Sequence, residues 1–362
     1  MISRYKSLDI FRGMTIAFMI LVNTPGSWSH IYTPLEHSPW HGYTPTDLVF
    51  PFFLVAVGLS MTFSFAKYDK NNHRAFYLKA TRRAILIFLI GLALNAFPFF
   101  NKDFSHLRIL GVLQRIALAY YFAAIFIHNF NDTKKLLWIS VVLLVGYWLL
   151  LLGFAKGDPY GLETNLGIKI DLFLLGPNHM WHGKQIAFDP EGFLSTLPAI
   201  VSVISGYLFG KIIRKYTGMD LLARILLVGN ILIISGYAWG LTFPINKSLW
   251  TSSYVLVTSG IAAVVVGILI YLIDIKHWQN WAKPFEAFGM NPLIIYVISI
   301  VWVKTYFQIH IGDQNMYAWL YTTVFKPIIN PTFGSLIFAL FHVFGCWIVA
   351  YILYIKKIYI KL

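Results

Sequence analysis

The sequence holds one cysteine, Cys346, set inside an apolar run. A single cysteine excludes an intrachain disulfide framework and any Cys-based metal site. Charge is also scarce: only 12% of the 362 residues are Asp, Glu, Lys or Arg, about half the fraction of a soluble domain. A surface built from so few charges has to face lipid. Acidic residues are scarcer still, 15 against 29 Lys and Arg, for a formal net charge of +14. That balance would suit nucleic acid, but the basic residues fall in short segments between apolar runs. Such a distribution is a topology signal and argues against a nucleic-acid partner. The sequence also lacks an internal repeat of the kind transporters use.

What is present is apolar and aromatic. Hydrophobic residues make up 58% of the chain and the mean hydropathy is +0.66. The 12 Trp and 21 Tyr suit side chains placed at membrane–water boundaries. About ten runs are long enough to cross roughly 30 Å of hydrocarbon, near 8–24, 46–66, 84–100, 108–128, 136–154, 193–210, 225–243, 251–273, 291–306 and 335–355. The expected fold is all-α and polytopic, a single integral-membrane domain over residues 1–362. Met1 to Val22 has the basic start and apolar stretch of a signal peptide. Asp9 and Arg12 interrupt that pattern and no small-residue cleavage site follows, so the segment reads as an uncleaved first span.

Placing the N-terminus inside assigns 20 of the 29 Lys and Arg to inner segments and 8 to outer ones, with Arg115 inside a span. Both termini are therefore expected in the cytoplasm. Residues 25–45 and 155–192, rich in His, Trp, Pro and Gly, then face outward.

Polar groups inside such spans are costly and become functional candidates by default. Arg115 lies about seven residues inside its span, ~10 Å deep at 1.5 Å per residue. It reads either as a structural Arg paired to Asp47 or Asp189, or as an oxyanion contact in a water-filled cavity. Asn23 ends the first span, Asp47 opens the second, and Asp189 and Glu191 open the sixth. For the three acids helix capping is the plain reading. Their convergence on one face with His30, His37 and His41 favours a site. The spacing of those histidines matches no common metal-ligand pattern, so no metal is expected. On the inner face, Arg12 and the Arg82–Arg83 pair set topology and also suit phosphate oxygens.

These segments resemble the heparan-α-glucosaminide N-acetyltransferase family, multispan acetyltransferases of lysosomes and many bacteria. The matching pieces are Arg4, Ser7, Asp9, Arg12 and Gly13; Val22 and Asn23; Glu36 through Gly42; and Thr46, Asp47 and Pro51 to Phe53. They continue with Gly111, Gln114 and Arg115; Asp189 through Gly192; Pro244 through Trp250; and Gly289 to Asn291. The family's catalytic His, in a His-x-x-Trp-x-Gly element, matches His37, with Trp40 beside it, and its Asn partner matches Asn23. The chain departs from the lysosomal member in lacking its large lumenal domain and in a longer Asn23-to-His37 loop, which leaves the glycan open.

The resemblance implies acetyl transfer from acetyl-CoA to the amine of a glucosamine-type sugar. It further implies a bacterial inner-membrane protein with its active site on the periplasmic side, and a homodimer is the candidate assembly. His37 is then general base or acetyl acceptor, and Asn23, helped by Arg115, the oxyanion donor. Asp47, Asp189, Glu191 and Trp40 complete the acceptor side, and Arg12, Arg82 and Arg83 hold the CoA phosphates. Two rivals remain: O-acetylation of an envelope polysaccharide, and an amino-sugar or oligosaccharide transporter without chemistry.

Overall fold

The computed structural model describes residues 5–65, 73–100 and 103–360. Arg4, Lys67, Lys70, Lys102 and Lys361, which entered the motif or the charge tally, lie outside the described residues. The helices are Lys6–Asn23 (α1), Val49–Phe65 (α2), His73–Ala96 (α3), Val112–Asn129 (α4), Thr133–Gly153 (α5), Leu166–Leu175 (α6) and Thr196–Lys215 (α7). They continue with Gly218–Gly240 (α8), Ser252–Leu269 (α9), Lys283–Met290 (α10), Pro292–Tyr306 (α11), Met316–Leu320 (α12) and Pro331–Ile355 (α13). Two short strands, His310–Ile311 and Gln314–Asn315, pair as a hairpin.

Each of the ten apolar runs coincides with a helix, but not all of those helices are apolar enough to cross a membrane on composition alone. Among the described residues six are, with a seventh if α10 and α11 count as one broken span. Charge explains two that fall short: Lys6, Asp9 and Arg12 interrupt α1, and Arg74, Lys79, Arg82 and Arg83 stand along α3. The molecule is an integral membrane protein on the strength of its apolar helices.

Helices α2, α7 and α9 form the centre, with 61%, 72% and 61% of their apolar windows buried. Helices α5, α8 and α13 are peripheral, at 28% each. Small residues let the central backbones approach. A Cβ added at Gly58 would lie 1.9 Å from the Val203 carbonyl oxygen, and one at Gly206 would lie 2.1 Å from that of Val55. The same device seats α1 on α10, where a Cβ at Gly13 would meet the Phe285 carbonyl at 1.8 Å.

Helices α10 and α11 meet at 79°. Pro292 starts α11 and disfavours helical geometry at Asn291, whose φ is −133°. Asn291 then fastens the chain end to the break: its Nδ2 donates to the Ile358 carbonyl at 2.8 Å and its Oδ1 accepts from the Ile360 N–H at 2.9 Å. The sequence reading took 291–306 as a plain span, because a proline at a first helical position looks like an ordinary start.

Asp47 sits at the beginning of the α2 segment and Ser60 near its other end. Thirteen residues separate them, roughly 20 Å along a helix axis. Two polar regions therefore lie at opposite ends of the bundle, named below by His37 and by Arg12.

Candidate active site

At the His37 end, local sequence builds the carboxylate's position. Thr44 caps a short helical turn that begins at Pro45, and Asp47 stands three residues beyond the cap. Its Oδ2 accepts from the Thr44 and Ser38 backbone N–H groups, each at 3.0 Å, and from the Thr44 hydroxyl at 3.2 Å. The capping expectation for Asp47 thus holds, but it uses one oxygen. The other, Oδ1, lies 2.7 Å from His37 Nδ1 and 3.2 Å from Lys247 Nζ. Asp47 is 1% exposed, whereas the His37 ring is 42% exposed. The Tyr254 hydroxyl donates to the Asp47 main-chain carbonyl and fixes the turn from α9.

A carboxylate on Nδ1 holds the imidazole proton there and leaves the lone pair of the neutral ring at Nε2. Lys247 Nζ sits beside the ring, 3.0 Å from Nδ1 and 3.5 Å from Nε2. Burial lowers the Lys247 pKa, and the negative charges of Asp47 and Glu191 oppose that shift. The sequence reading missed Lys247 as a site residue. It lies in the matching piece Pro244 to Trp250 but entered only as an outer charge. The contact spans 210 residues of chain, and no local pattern announces it.

Trp40 locks the His37 loop onto its neighbours. Its Nε1 donates to the Tyr160 carbonyl at 2.9 Å, and its ring meets Phe188 edge-on at 5.6 Å. The Gly42 N–H donates to the Ile245 carbonyl at 2.7 Å. The three loop histidines do not converge: His30 Nδ1 meets the Ser27 hydroxyl at 3.3 Å and His41 Nδ1 accepts from Asn246 Nδ2 at 3.3 Å. The Asn23 side chain is exposed at the end of α1, and among the described residues none hydrogen-bonds it.

Asp189 and Glu191 are engaged differently from expectation. They precede α7, which begins at Thr196, and they clamp Arg108 instead of capping the helix. Arg108 donates to both Asp189 oxygens, at 3.0 and 2.8 Å, and to Glu191 at 2.6 Å. Arg115 pairs with neither Asp47 nor Asp189. Fully buried, it donates to the carbonyls of Pro190, Gly192 and Ser195 and to the Ser195 hydroxyl at 2.6 Å, and lies over the Trp250 ring. These contacts brace the turn that carries Asp189 and Glu191. Asp171, also overlooked in the sequence, is buried beside this turn and accepts from the Phe193 N–H at 2.9 Å. Burial raises its pKa to about 6.

The Arg12 end contains open volume. A cavity of about 630 Å³ is lined by Arg12, Lys79, Arg83, Tyr120 and the residues around Asn291. A narrower chamber of about 110 Å³ shares Arg12, Arg83, Tyr120 and Leu293 with it and reaches Phe53 and Ile116. Arg83 lies over the Tyr120 ring at 4.9 Å, and among the described residues none hydrogen-bonds its buried Nε. Arg12 is held by the Gly289 carbonyl, Ser60 and Asp9. Arg82, one residue along α3, is exposed and does not line either chamber. Successive helical residues diverge by roughly 100°, so only one of the pair turns inward.

The class of protein is set by these features: an integral membrane protein with its polar chemistry confined to the two ends of an apolar bundle. A family model described as "Heparan-alpha-glucosaminide N-acetyltransferase, catalytic" matches residues 4–226, and the chain belongs to this family. Two similar proteins carry the name heparan-alpha-glucosaminide N-acetyltransferase. The one from Mus musculus is 28% identical over 419 aligned residues, covering 99% of this chain and 61% of that protein. The one from Homo sapiens is 28% identical over 417, covering 99% and 60%. The chain thus spans about three fifths of the length of the curated relatives it matches.

Proposed function

We propose that the chain transfers an acetyl group from acetyl-CoA to the amine of a glucosamine-type sugar, with His37 as general base. The carrying observation is the 2.7 Å contact between His37 Nδ1 and the buried Asp47 carboxylate, which leaves the Nε2 lone pair of an exposed ring as the proton acceptor, with Lys247 Nζ 3.5 Å from it. The sugar ammonium first gives one proton to solvent, and as the freed amine nitrogen attacks the thioester carbonyl, Nε2 takes the second. Attack forms the C–N bond and a tetrahedral oxyanion, whose collapse breaks the C–S bond, and the CoA thiolate recovers a proton from the imidazolium. A positive charge beside the ring stabilises the oxyanion that develops between these steps. Lys247 supplies that charge in place of Arg115, whose Nη1 and Nη2 are bound to carbonyls and the Ser195 hydroxyl of the turn before α7. Asn23 remains the family's oxyanion donor in this scheme, reached once substrate binds. Direct attack in a ternary complex is the preferred route over an acetyl-imidazole on His37.

The Arg12 cavity suits the cofactor. Arg12, Lys79 and Arg83 are cations for phosphate oxygens, and the narrow chamber is the dimension of an arm rather than a nucleotide. Its deep end at Phe53 lies six residues along the helix from Asp47, roughly 10 Å. A thioester arm entering at Arg12 would deliver its acetyl group toward His37. The reading further takes all ten helices as spans, both termini as cytoplasmic and the His37 loop as periplasmic, in a bacterial inner membrane. Detergent-purified protein should then consume acetyl-CoA when glucosamine is added, where no gradient exists. No CoA release under those conditions would favour a transporter. A Ser29→Cys variant should react with a membrane-impermeant thiol reagent in intact spheroplasts. Labelling only after lysis would reverse the orientation.

A further inference from the structure

Away from both sites, α5, α7, α8 and α9 enclose an open groove of about 720 Å³ that shares no lining residue with the Arg12 cavity. Its walls are apolar, with Leu137, Val141 and Leu144 on α5, Val201 and Leu208 on α7, and Leu232 on α8. One end carries three cations, Lys211, Arg214 and Lys215, beside Tyr216. The distribution is that of an amphiphile: charge at one end only, then apolar surface. Along α7 the groove runs from Val201 to Lys215, roughly 20 Å at 1.5 Å per residue. That is more than half of a ~30 Å hydrocarbon layer, so the groove covers about one leaflet.

Among the described residues no carboxylate forms an ion pair with these cations, and Asp132 acts on Lys211 only through space. Lys211 Nζ donates to the Asn131 carbonyl at 3.0 Å and Arg214 to the Thr62 carbonyl at 3.2 Å, while Lys215 lies over the Tyr216 ring. The nearby acids are committed elsewhere, Asp132 to the N-terminus of α5 and Asp220 to Arg224. Both walls belong to peripheral helices, α5 and α8, whose outer faces are apolar. The occupant that fits must bring an anion to the helix ends and hydrocarbon to the groove.

We propose that this groove binds an anionic phospholipid, with its phosphate on Lys211, Arg214 and Lys215 and an acyl chain along the α5–α7–α8 walls. The inference rests on the membrane character of the chain and not on the acetyltransferase reading. Its site is the leaflet at the Arg12 end of the bundle.

The test is native mass spectrometry of the full chain in detergent, titrated with phosphatidylglycerol or with phosphatidylcholine of the same acyl chains. Wild type should retain phosphatidylglycerol at least ~10-fold better, and the triple variant K211Q/R214Q/K215Q should lose that preference. A groove-filling Ser205→Phe variant should displace both lipids with its cations intact, and it serves as the test if the triple variant fails to fold. Equal retention of the two lipids, or an unchanged preference in the triple variant, would overturn the proposal. So would thermal stabilisation by inorganic phosphate equal to that by phosphatidylglycerol, which would leave a bare anion site. A dimer that Ser205→Phe converts to monomer would instead assign the groove to a second copy of the chain.

Discussion

The two polar ends of the bundle solve opposite problems. At the His37 end, loop backbone holds a buried carboxylate: Ser38 and Thr44 fix one oxygen of Asp47, and His37 and Lys247 share the other. The His37 ring there is 42% exposed. At the Arg12 end the charged groups stand on helices around about 630 Å³ of open volume. Under the proposed function, one end would orient a proton acceptor and the other would admit a large anion. The difference predicts that substitutions at the first should act on turnover and those at the second on apparent affinity.

The largest expected effect is at His37. His37→Ala should lower kcat by roughly 10²-fold or more with little change in thermal stability, because the ring is exposed. Asp47→Asn should lower kcat less, by disturbing the tautomer, but should also cost about 1–3 kcal/mol of stability by leaving buried donors poorly paired. Turnover in the detergent assay and melting temperature separate the two. Near wild-type turnover of His37→Ala would remove the site assignment.

A second test uses Asp171, buried beside the turn that carries Asp189 and Glu191. Its pKa in the folded protein is about 6, against ~3.9 for a free carboxyl. The raised value means that its contribution is complete below the unfolded pKa and is lost as pH rises through about 6. Wild type should therefore lose about 2–3 kcal/mol relative to Asp171→Asn between roughly pH 4 and 7. Melting curves of both proteins in detergent across that range check it, and parallel curves would show that Asp171 is not protonated in the fold.

The smallest effect distinguishes two neighbours on α3. Arg83→Ala should raise the apparent KM for acetyl-CoA several-fold, and the difference should shrink at high salt as phosphate attraction is screened. Arg82→Ala should leave KM within about twofold, since its side chain faces away from the cavity. Equal effects would return both residues to a topological role. Arg12 is a poorer probe, because its ties to Gly289, Ser60 and Asp9 make its loss structural as well.

The sequence by itself determined where the apolar helices lie and that His37 stands in a long loop beside the α2 segment. Hydropathy is a local sum over neighbouring residues, so the ten runs were legible without knowing how they assemble. The capping position of Asp47 was legible for the same reason, as Thr44, Pro45 and Asp47 are adjacent in the chain. Pairing was not. Arg115 reads in the sequence either as a partner of Asp47 or Asp189 or as an oxyanion contact, yet Arg108 takes both Asp189 and Glu191, because folding brings Arg108 alongside the turn before α7 and puts carbonyls against Arg115. Only the tertiary structure brought Lys247 to His37, turned Arg83 rather than Arg82 into the cavity, and set α10 and α11 at 79°. Each depends on how helices distant in sequence meet, and composition and periodicity carry no information about which helix becomes the neighbour of which.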